Sequence, residues 1–169
     1  MLRVIGIAPT SSGELTVDPY VPFKFRAYKT GIPEPYLWRI GDIKTSLLEL
    51  TIEYSTGIVR GATLVGPVND AVVQLQSGYE GIPRKTGLPI VDTSAFTTTD
   101  IWDEPCNFTL MQRKNAVYIA FGSSWNPSSC IGIDRIAFFE AEGFLCGVGF
   151  FQLTQEEIAL VKETIPSIV

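Results

Sequence analysis

The strongest constraint on the fold is a regular alternation of apolar and polar side chains between residues 47 and 65, which read LLELTIEYSTGIVRGATLV. Apolar side chains at positions 48, 50, 52 and 54 share one face of an extended strand, and Glu49, Thr51 and Glu53 share the other. Residues 55–57 are Ser-Thr-Gly, a turn sequence in which glycine tolerates a positive φ. The alternation resumes at Ile58, so the segment predicts an antiparallel hairpin with one buried face.

A second hairpin is predicted at residues 131–153, where two apolar runs flank the sequence EAEG. Gly147 and Gly149 lie on one face of its second strand, which favours a close backbone approach or sheet curvature over a phosphate loop. Further strands are predicted at residues 2–7, 23–28, 72–75, 108–111 and 116–121. Prolines in the first forty residues predict loops and edge strands there.

One helix is predicted to begin after Thr154. Glu157 stands three residues later, which is the spacing of a capping box. Apolar residues follow at i, i+3 and i+7 from Ile158, giving one face that can pack on a sheet. Pro166 ends the helix. The acidic residues at its start are therefore interpreted as capping residues.

The composition is that of an ordinary folded domain. A chain of 169 residues fits one domain, 46% of its residues are apolar and only 18% are charged. We predict a single α+β domain over residues 1–169, built mainly of antiparallel sheet with hairpins and a carboxyl-terminal helix. The amino-terminal apolar run is interrupted by Pro9, and no apolar stretch approaches the ~20 residues of a membrane span. We therefore expect a cytoplasmic protein.

The charge balance indicates which partners suit the surface. The chain has 13 basic and 18 acidic residues, a net charge of -5. It lacks the basic footprint of a nucleic-acid-binding protein and should repel phosphate backbones and anionic membranes. A basic protein partner would be attracted. The alternative is that the charge serves solubility alone.

The chain contains no histidine, which excludes Ser-His-Asp and Cys-His catalysis and removes the commonest metal ligand. The three cysteines show no CxxC spacing, so neither a zinc site nor a disulfide framework is expected, and Cys106 and Cys130 fall in predicted loops. A carboxylate-pair hydrolase remains open, with Glu49 and Glu53, or the glutamates at 140 and 142, as its pair. Solvated strand faces would show the same spacing. We predict no catalytic residue, no metal and no cofactor.

Acidic residues are concentrated where basic ones are absent. Residues 86–112 contain no Lys or Arg, and here Trp102 lies among Asp100, Asp103 and Glu104 in a predicted loop. An aromatic anchor with charged surroundings suits a basic protein partner. The alternative is a solvated loop with a buried tryptophan.

A second acidic segment extends over residues 136–161, which again contain no Lys or Arg. Glu140 and Glu142 in this segment are further candidates for contact with a partner. The polar loop GSSWNPSS carries Trp125, which is a candidate for binding a peptide, a sugar or another small ligand. Alternatively, this tryptophan folds back onto the protein.

Two segments carry a resemblance to a known class of proteins. IKTSLLELTIEYSTGIVRGATLV and IAFFEAEGFLCGVGFFQLTQEEIALVKETI resemble the small immunity proteins of bacterial polymorphic toxin systems, including contact-dependent growth inhibition. The matching positions are Leu48, Glu49, Ile52, Thr56 and Gly57, then Leu153, Thr154, Glu156 and Glu157. The resemblance implies a cytoplasmic, non-enzymatic inhibitor that binds one cognate toxin domain, often a basic one. A β-rich domain that binds a small ligand, a histidine-independent hydrolase and a subunit of a larger assembly remain alternatives.

Overall fold

The computed structural model describes residues 1–10, 12–28, 31, 33–42, 44–65, 72–76, 79, 81–96, 99–122 and 125–168. In these residues the chain forms fifteen strands and one helix. The strands are β1 (Val4–Ala8), β2 (Glu14–Thr16), β3 (Phe23–Arg26), β4 (Tyr36–Asp42), β5 (Ser46–Ile52), β6 (Val59–Val65), β7 (Val73–Gln74), β8 (Arg84–Thr86), β9 (Leu88–Val91), β10 (Ile101–Glu104), β11 (Phe108–Arg113), β12 (Ala116–Phe121), β13 (Ser129–Ile133), β14 (Ile136–Ala141) and β15 (Phe144–Phe150). The helix is α1 (Gln155–Thr164).

Most of these strands belong to two sheets. A six-stranded sheet has the order β10-β4-β5-β6-β3-β2, and a seven-stranded sheet has the order β7-β11-β12-β15-β14-β13-β8. Most pairings are antiparallel, and the parallel ones join the edge strands β10, β7 and β8 to their neighbours. The predicted α+β class, with mainly antiparallel sheet and a carboxyl-terminal helix, is confirmed.

The two sheets pack face to face around one apolar core. Phe23 of the six-stranded sheet stacks on Phe150 of the seven-stranded sheet with 4.6 Å between ring centroids. Trp38 and Phe121 meet across the same interface at 5.2 Å. Inward side chains alternate with outward ones along each strand, as in other sheet-on-sheet packings. The core therefore positions the edge strands of both sheets.

The hairpin predicted at residues 47–65 is formed by β5 and β6. Leu48, Leu50 and Ile52 are fully buried, as their alternation requires. The register shifts between Thr51 and Ile52, so the buried positions of β6 change phase along the strand. Tyr54 lies beyond the end of β5 and is exposed.

The second predicted hairpin is formed by β14 and β15. Its turn residues Glu142 and Gly143 both have positive φ, which is the requirement of a two-residue type I′ turn. A Cβ atom on Gly147 would lie 2.1 Å from Cζ3 of Trp125, and one on Gly149 would lie 2.9 Å from Phe139. The predicted close approach at these glycines is confirmed.

The predicted helix and its capping box are also confirmed. The amide of Glu157 donates to Thr154 Oγ1 at 3.1 Å, and the Glu157 carboxylate accepts from the Thr154 amide at 2.9 Å. Burial raises the pKa of the Glu157 carboxyl, but the Arg135 guanidinium and the Thr154 amide outweigh it, so the pKa lies below its ordinary value. Ile158 and Val161 are buried against the sheets.

The amino-terminal segment closes one end of the sandwich. β1 pairs with β9. The chain at the start of β1 also bonds to the beginning of β15 and the turn before it, since Val4 N donates to Gly143 O and Leu145 N donates to Leu2 O. No helix of the described residues has both the length and the apolar character to cross a membrane.

Two sequence predictions of loops are wrong. The acid-rich segment around Trp102 forms β10, and Cys130 lies within β13. Both segments become strands because a distant partner is available to pair with them: β4 for β10, and β8 for β13, which also pairs with the neighbouring β14. Local composition does not indicate such partners.

Candidate functional site

β10 forms one edge of the six-stranded sheet, and among the described strands it pairs with β4 alone. The amide of Leu37 in β4 donates to the Asp100 carbonyl at 2.7 Å. Peptide groups along a strand alternate in direction, so those of Ile101 and Asp103 point away from β4. The Ile101 amide donates to Thr99 Oγ1 at 3.1 Å, so the groups that the edge offers to a further strand are the Ile101 carbonyl and the Asp103 amide and carbonyl.

Trp102 faces the interior of the sandwich from β10. It is half-buried against the main apolar core, and its ring meets that of Phe96 edge to face at 5.7 Å between centroids. Its register partner is the fully buried Trp38 of β4. Trp102 thus anchors β10 to the core, and its contact with a partner stays a prediction.

Asp103 faces outward and pairs with Arg39 of β4. Two hydrogen bonds join the carboxylate to the guanidinium, at 2.6 and 3.0 Å. The hydrogen bonds that Arg39 donates to the Asp103 carboxylate raise the pKa of its guanidinium above the usual value. The Asp103 side chain remains 47% exposed, so part of its carboxylate is open to solvent. Local sequence does not indicate Arg39 as a partner, because 64 residues separate it from Asp103.

Glu104 has internal partners that its sequence context does not indicate. Its carboxylate accepts from the amino-terminal ammonium group at 2.7 Å and from Trp38 Nε1 at 3.2 Å. Only 17% of the side chain is exposed. Glu104 therefore serves the packing of β10 and contributes less to the outer surface than Asp100, which is exposed.

Glu142 and the β10 acids lie toward the same end of the molecule. Glu142 is exposed in the β14–β15 turn, and the next residue, Gly143, accepts from Val4 N at 2.8 Å. Met1 lies three residues before Val4, and its ammonium group contacts Glu104. About 10 Å of extended chain thus joins the two acidic groups. Glu140 is half-buried, and its carbonyl accepts from the Ser128 amide at 2.9 Å.

Trp125 lies on the outer face of the seven-stranded sheet. Its ring packs over Gly147 and meets Phe139 and Tyr79 at 5.1 and 5.3 Å between centroids. The tryptophan therefore folds back onto the protein, which was one of the two interpretations of its loop. Its buried Nε1 atom has no hydrogen-bond partner within the described part of the chain.

The thiols are poorly suited to nucleophilic catalysis. Burial, and then the charge of Glu104, raise the pKa of Cys106. Burial also raises the pKa of Cys130, and raises that of Cys146 to about 12. All three cysteines are free, and such thiols are protonated near neutral pH and are therefore weak nucleophiles.

Glu53, one of the carboxylates considered for hydrolysis, has a lowered pKa, whereas a general acid needs a raised one. The hydroxyl of Thr56 donates to Glu53 and holds the pKa of its carboxyl below the usual range, with Arg60 adding to the effect. Within the described ranges, no group of three or more Cys, Asp or Glu side chains is placed to hold a metal ion.

β4, which pairs with β10 at the candidate edge, is absent from the strands predicted from the sequence. Residues 36–42 read YLWRIGD, and Tyr36, Trp38 and Ile40 are buried at alternate positions. The two-residue period was therefore present in the sequence, although nearby prolines at 33 and 35 favoured a loop.

Comparison with known proteins identifies no family for this chain. A scan against protein-family models finds no match, and a search of curated proteins also finds none.

Proposed function

We propose that this protein is a non-enzymatic binding protein of the bacterial immunity class, which binds one cognate toxin domain in the cytoplasm and blocks its active site. The observation that carries the proposal is the edge of β10, which is paired on one side among the described strands, has Asp103 on its outer face and is preceded by the exposed Asp100. The resemblance at residues 48–57 and 153–157 supports the same class.

The backbone of β10 supports recognition by strand addition. An unpaired edge can accept an extended segment of a partner through main-chain hydrogen bonds. Ile101 supplies an outward carbonyl and Asp103 an outward amide and carbonyl, and the Ile101 residue is 39% exposed. An edge of four residues provides few such bonds, so the surrounding side chains must add affinity.

The charge of this edge favours a basic partner. Asp100 is exposed, and Asp103 keeps an open part of its carboxylate beside Arg39. A basic side chain of the partner competes with Arg39 for that carboxylate. At the same end of the molecule, Ile5 and Phe144 are exposed apolar side chains that a partner can cover.

The first experiment is affinity capture from the native organism at low salt, followed by mass spectrometry. The proposal expects one stoichiometric partner that is toxic when expressed alone and harmless when co-expressed with this protein. Absence of such a partner, or toxicity that co-expression leaves unchanged, contradicts the immunity function.

The role of the edge is tested with Asp103→Pro and Asp103→Thr. Both changes remove the Asp103 carboxylate, but only proline also removes the N–H that points away from β4, and both leave the backbone bonds to β4 in place. We expect Asp103→Pro to weaken binding of the captured partner about five- to tenfold relative to Asp103→Thr, the loss of one or more backbone hydrogen bonds. Equal affinities of the two variants, both folded by circular dichroism, place the interface elsewhere.

A further inference from the structure

A second feature lies on the outer face of the seven-stranded sheet, which is the face turned away from the main apolar core. A cavity of about 240 Å³ opens there. The residues of its wall that matter for binding are Tyr79, Arg84, Cys130, Ala137, Phe139 and Phe151. Pockets for drug-sized ligands have volumes of about 300–1,000 Å³, so this smaller cavity suits one ring with a small substituent.

The shape of the cavity follows from the alternation of large and small side chains. Ala137 and Cys130 are small and buried, and they form the floor between the aromatic rings. The rings of Tyr79 and Phe151 lie 5.9 and 6.5 Å from that of Phe139, measured between centroids. At these distances the rings pack directly against one another and form one aromatic wall, on which a flat apolar group packs better than a branched one.

Arg84 brings a positive charge to this cavity. Its guanidinium lies 6.0 Å from the centroid of the Phe151 ring, at the outer limit of a cation–π contact. Its Nη2 atom donates to the carbonyls of Asp134 and Ile136, at 3.3 and 3.2 Å. These bonds hold the side chain in place and use one of its nitrogens. Among the described residues, no acidic side chain lies within 4 Å of this guanidinium.

We propose that this cavity binds a small planar organic anion, such as an aromatic carboxylate. The ring occupies the cavity lined by Phe139, Phe151 and Ala137. The carboxylate pairs with the remaining donors of the Arg84 guanidinium, whose planar fork matches a carboxylate. This binding activity is separate from the proposed contact at β10, which lies on the other sheet.

The test is titration of the full chain with benzoate and with the neutral, isosteric benzamide by isothermal titration calorimetry. We expect saturable 1:1 binding of benzoate, at least tenfold tighter than binding of benzamide, because the charge-assisted hydrogen bonds are lost with the amide. Arg84→Gln should lower benzoate affinity at least tenfold. The matched control is Lys85→Gln, which removes a positive charge from the next residue on the opposite face of β8 and should change affinity less than twofold.

Methyl NMR locates the ligand within the cavity. Bound benzoate should shift the Ala137 methyl resonance, since an aromatic ring then lies over it. Absence of saturable benzoate binding at millimolar concentration overturns the proposal. Equal effects of Arg84→Gln and Lys85→Gln, or equal affinities for benzoate and benzamide in the unaltered protein, overturn it as well. The benzamide comparison needs no variant and stays decisive if Arg84→Gln fails to fold.

Discussion

Replacing Glu104 tests whether this carboxylate serves the fold or the outer surface. Trp38 is fully buried, and its indole N–H donates to the Glu104 carboxylate at 3.2 Å. Glu104→Ala removes the acceptor and leaves a buried donor unpaired, which costs about 1–3 kcal/mol of folding free energy. For a chain of this length, that loss lowers Tm by about 2–12 °C, at about 2–4 °C per kcal/mol.

The assay is urea unfolding of Glu104→Ala beside two comparison variants. Glu104→Gln keeps an oxygen that can accept from Trp38, so most of the stability should return. Asp103→Ala breaks an exposed ion pair with Arg39, and such pairs contribute about 0.2–1 kcal/mol. The expected order of stability is therefore wild type, then Glu104→Gln and Asp103→Ala, and last Glu104→Ala. The reasoning is refuted if Glu104→Ala is as stable as Asp103→Ala, since the Trp38 N–H would then not depend on this acceptor.

Two further predictions concern acid stability and association rate. The pKa of the Glu157 carboxyl is lowered in the folded state, so its contribution is present above the unfolded value of about 4.5 and is lost as pH falls through the folded value. Glu157→Gln should therefore reduce the urea midpoint at pH 7, and the midpoint of the variant should fall less steeply than that of the wild type below pH 4.5. Midpoints that fall in parallel in the two proteins below pH 4.5 contradict this. The double change Asp100→Asn with Asp103→Asn should slow association with the captured partner several-fold at low salt and much less at high salt, as measured by stopped flow. The control is Glu14→Gln with Glu163→Gln, which removes the same charge from exposed sites outside β10, and equal rates for the two pairs would exclude steering by the β10 edge.

Features that depend on neighbouring residues could be predicted from the sequence. The capping box needs only Thr154 and Glu157 at the correct spacing, and the β5–β6 hairpin needs only alternation around a turn containing Gly57. The close approach at Gly147 was also predicted, although the residue that approaches, Trp125, was not. For the capping box and the hairpin the physical cause lies within a few residues, so the pattern carries it, whereas the ring that approaches Gly147 comes from a loop two strands earlier.

β10 could not be predicted in this way. It has four residues, contains two acidic side chains and is followed by Pro105, which together resemble a loop. It is a strand because β4, more than sixty residues earlier, offers a parallel edge, and because Trp102 then reaches the core. Pairing over such a distance depends on the whole chain being folded, which is why propensity at β10 is overridden.

The sequence by itself determined the chemical inventory of this protein: no histidine, a net charge of -5, the hairpins and the capped helix. Only the tertiary structure decided what the acidic residues do. It paired Asp103 with Arg39, directed Glu104 to Trp38 and left Asp100 in solvent, although the three acids are sequence neighbours. The physical reason is that residue type sets a charge, whereas burial and partners from distant strands set whether that charge stabilises the fold or faces a partner.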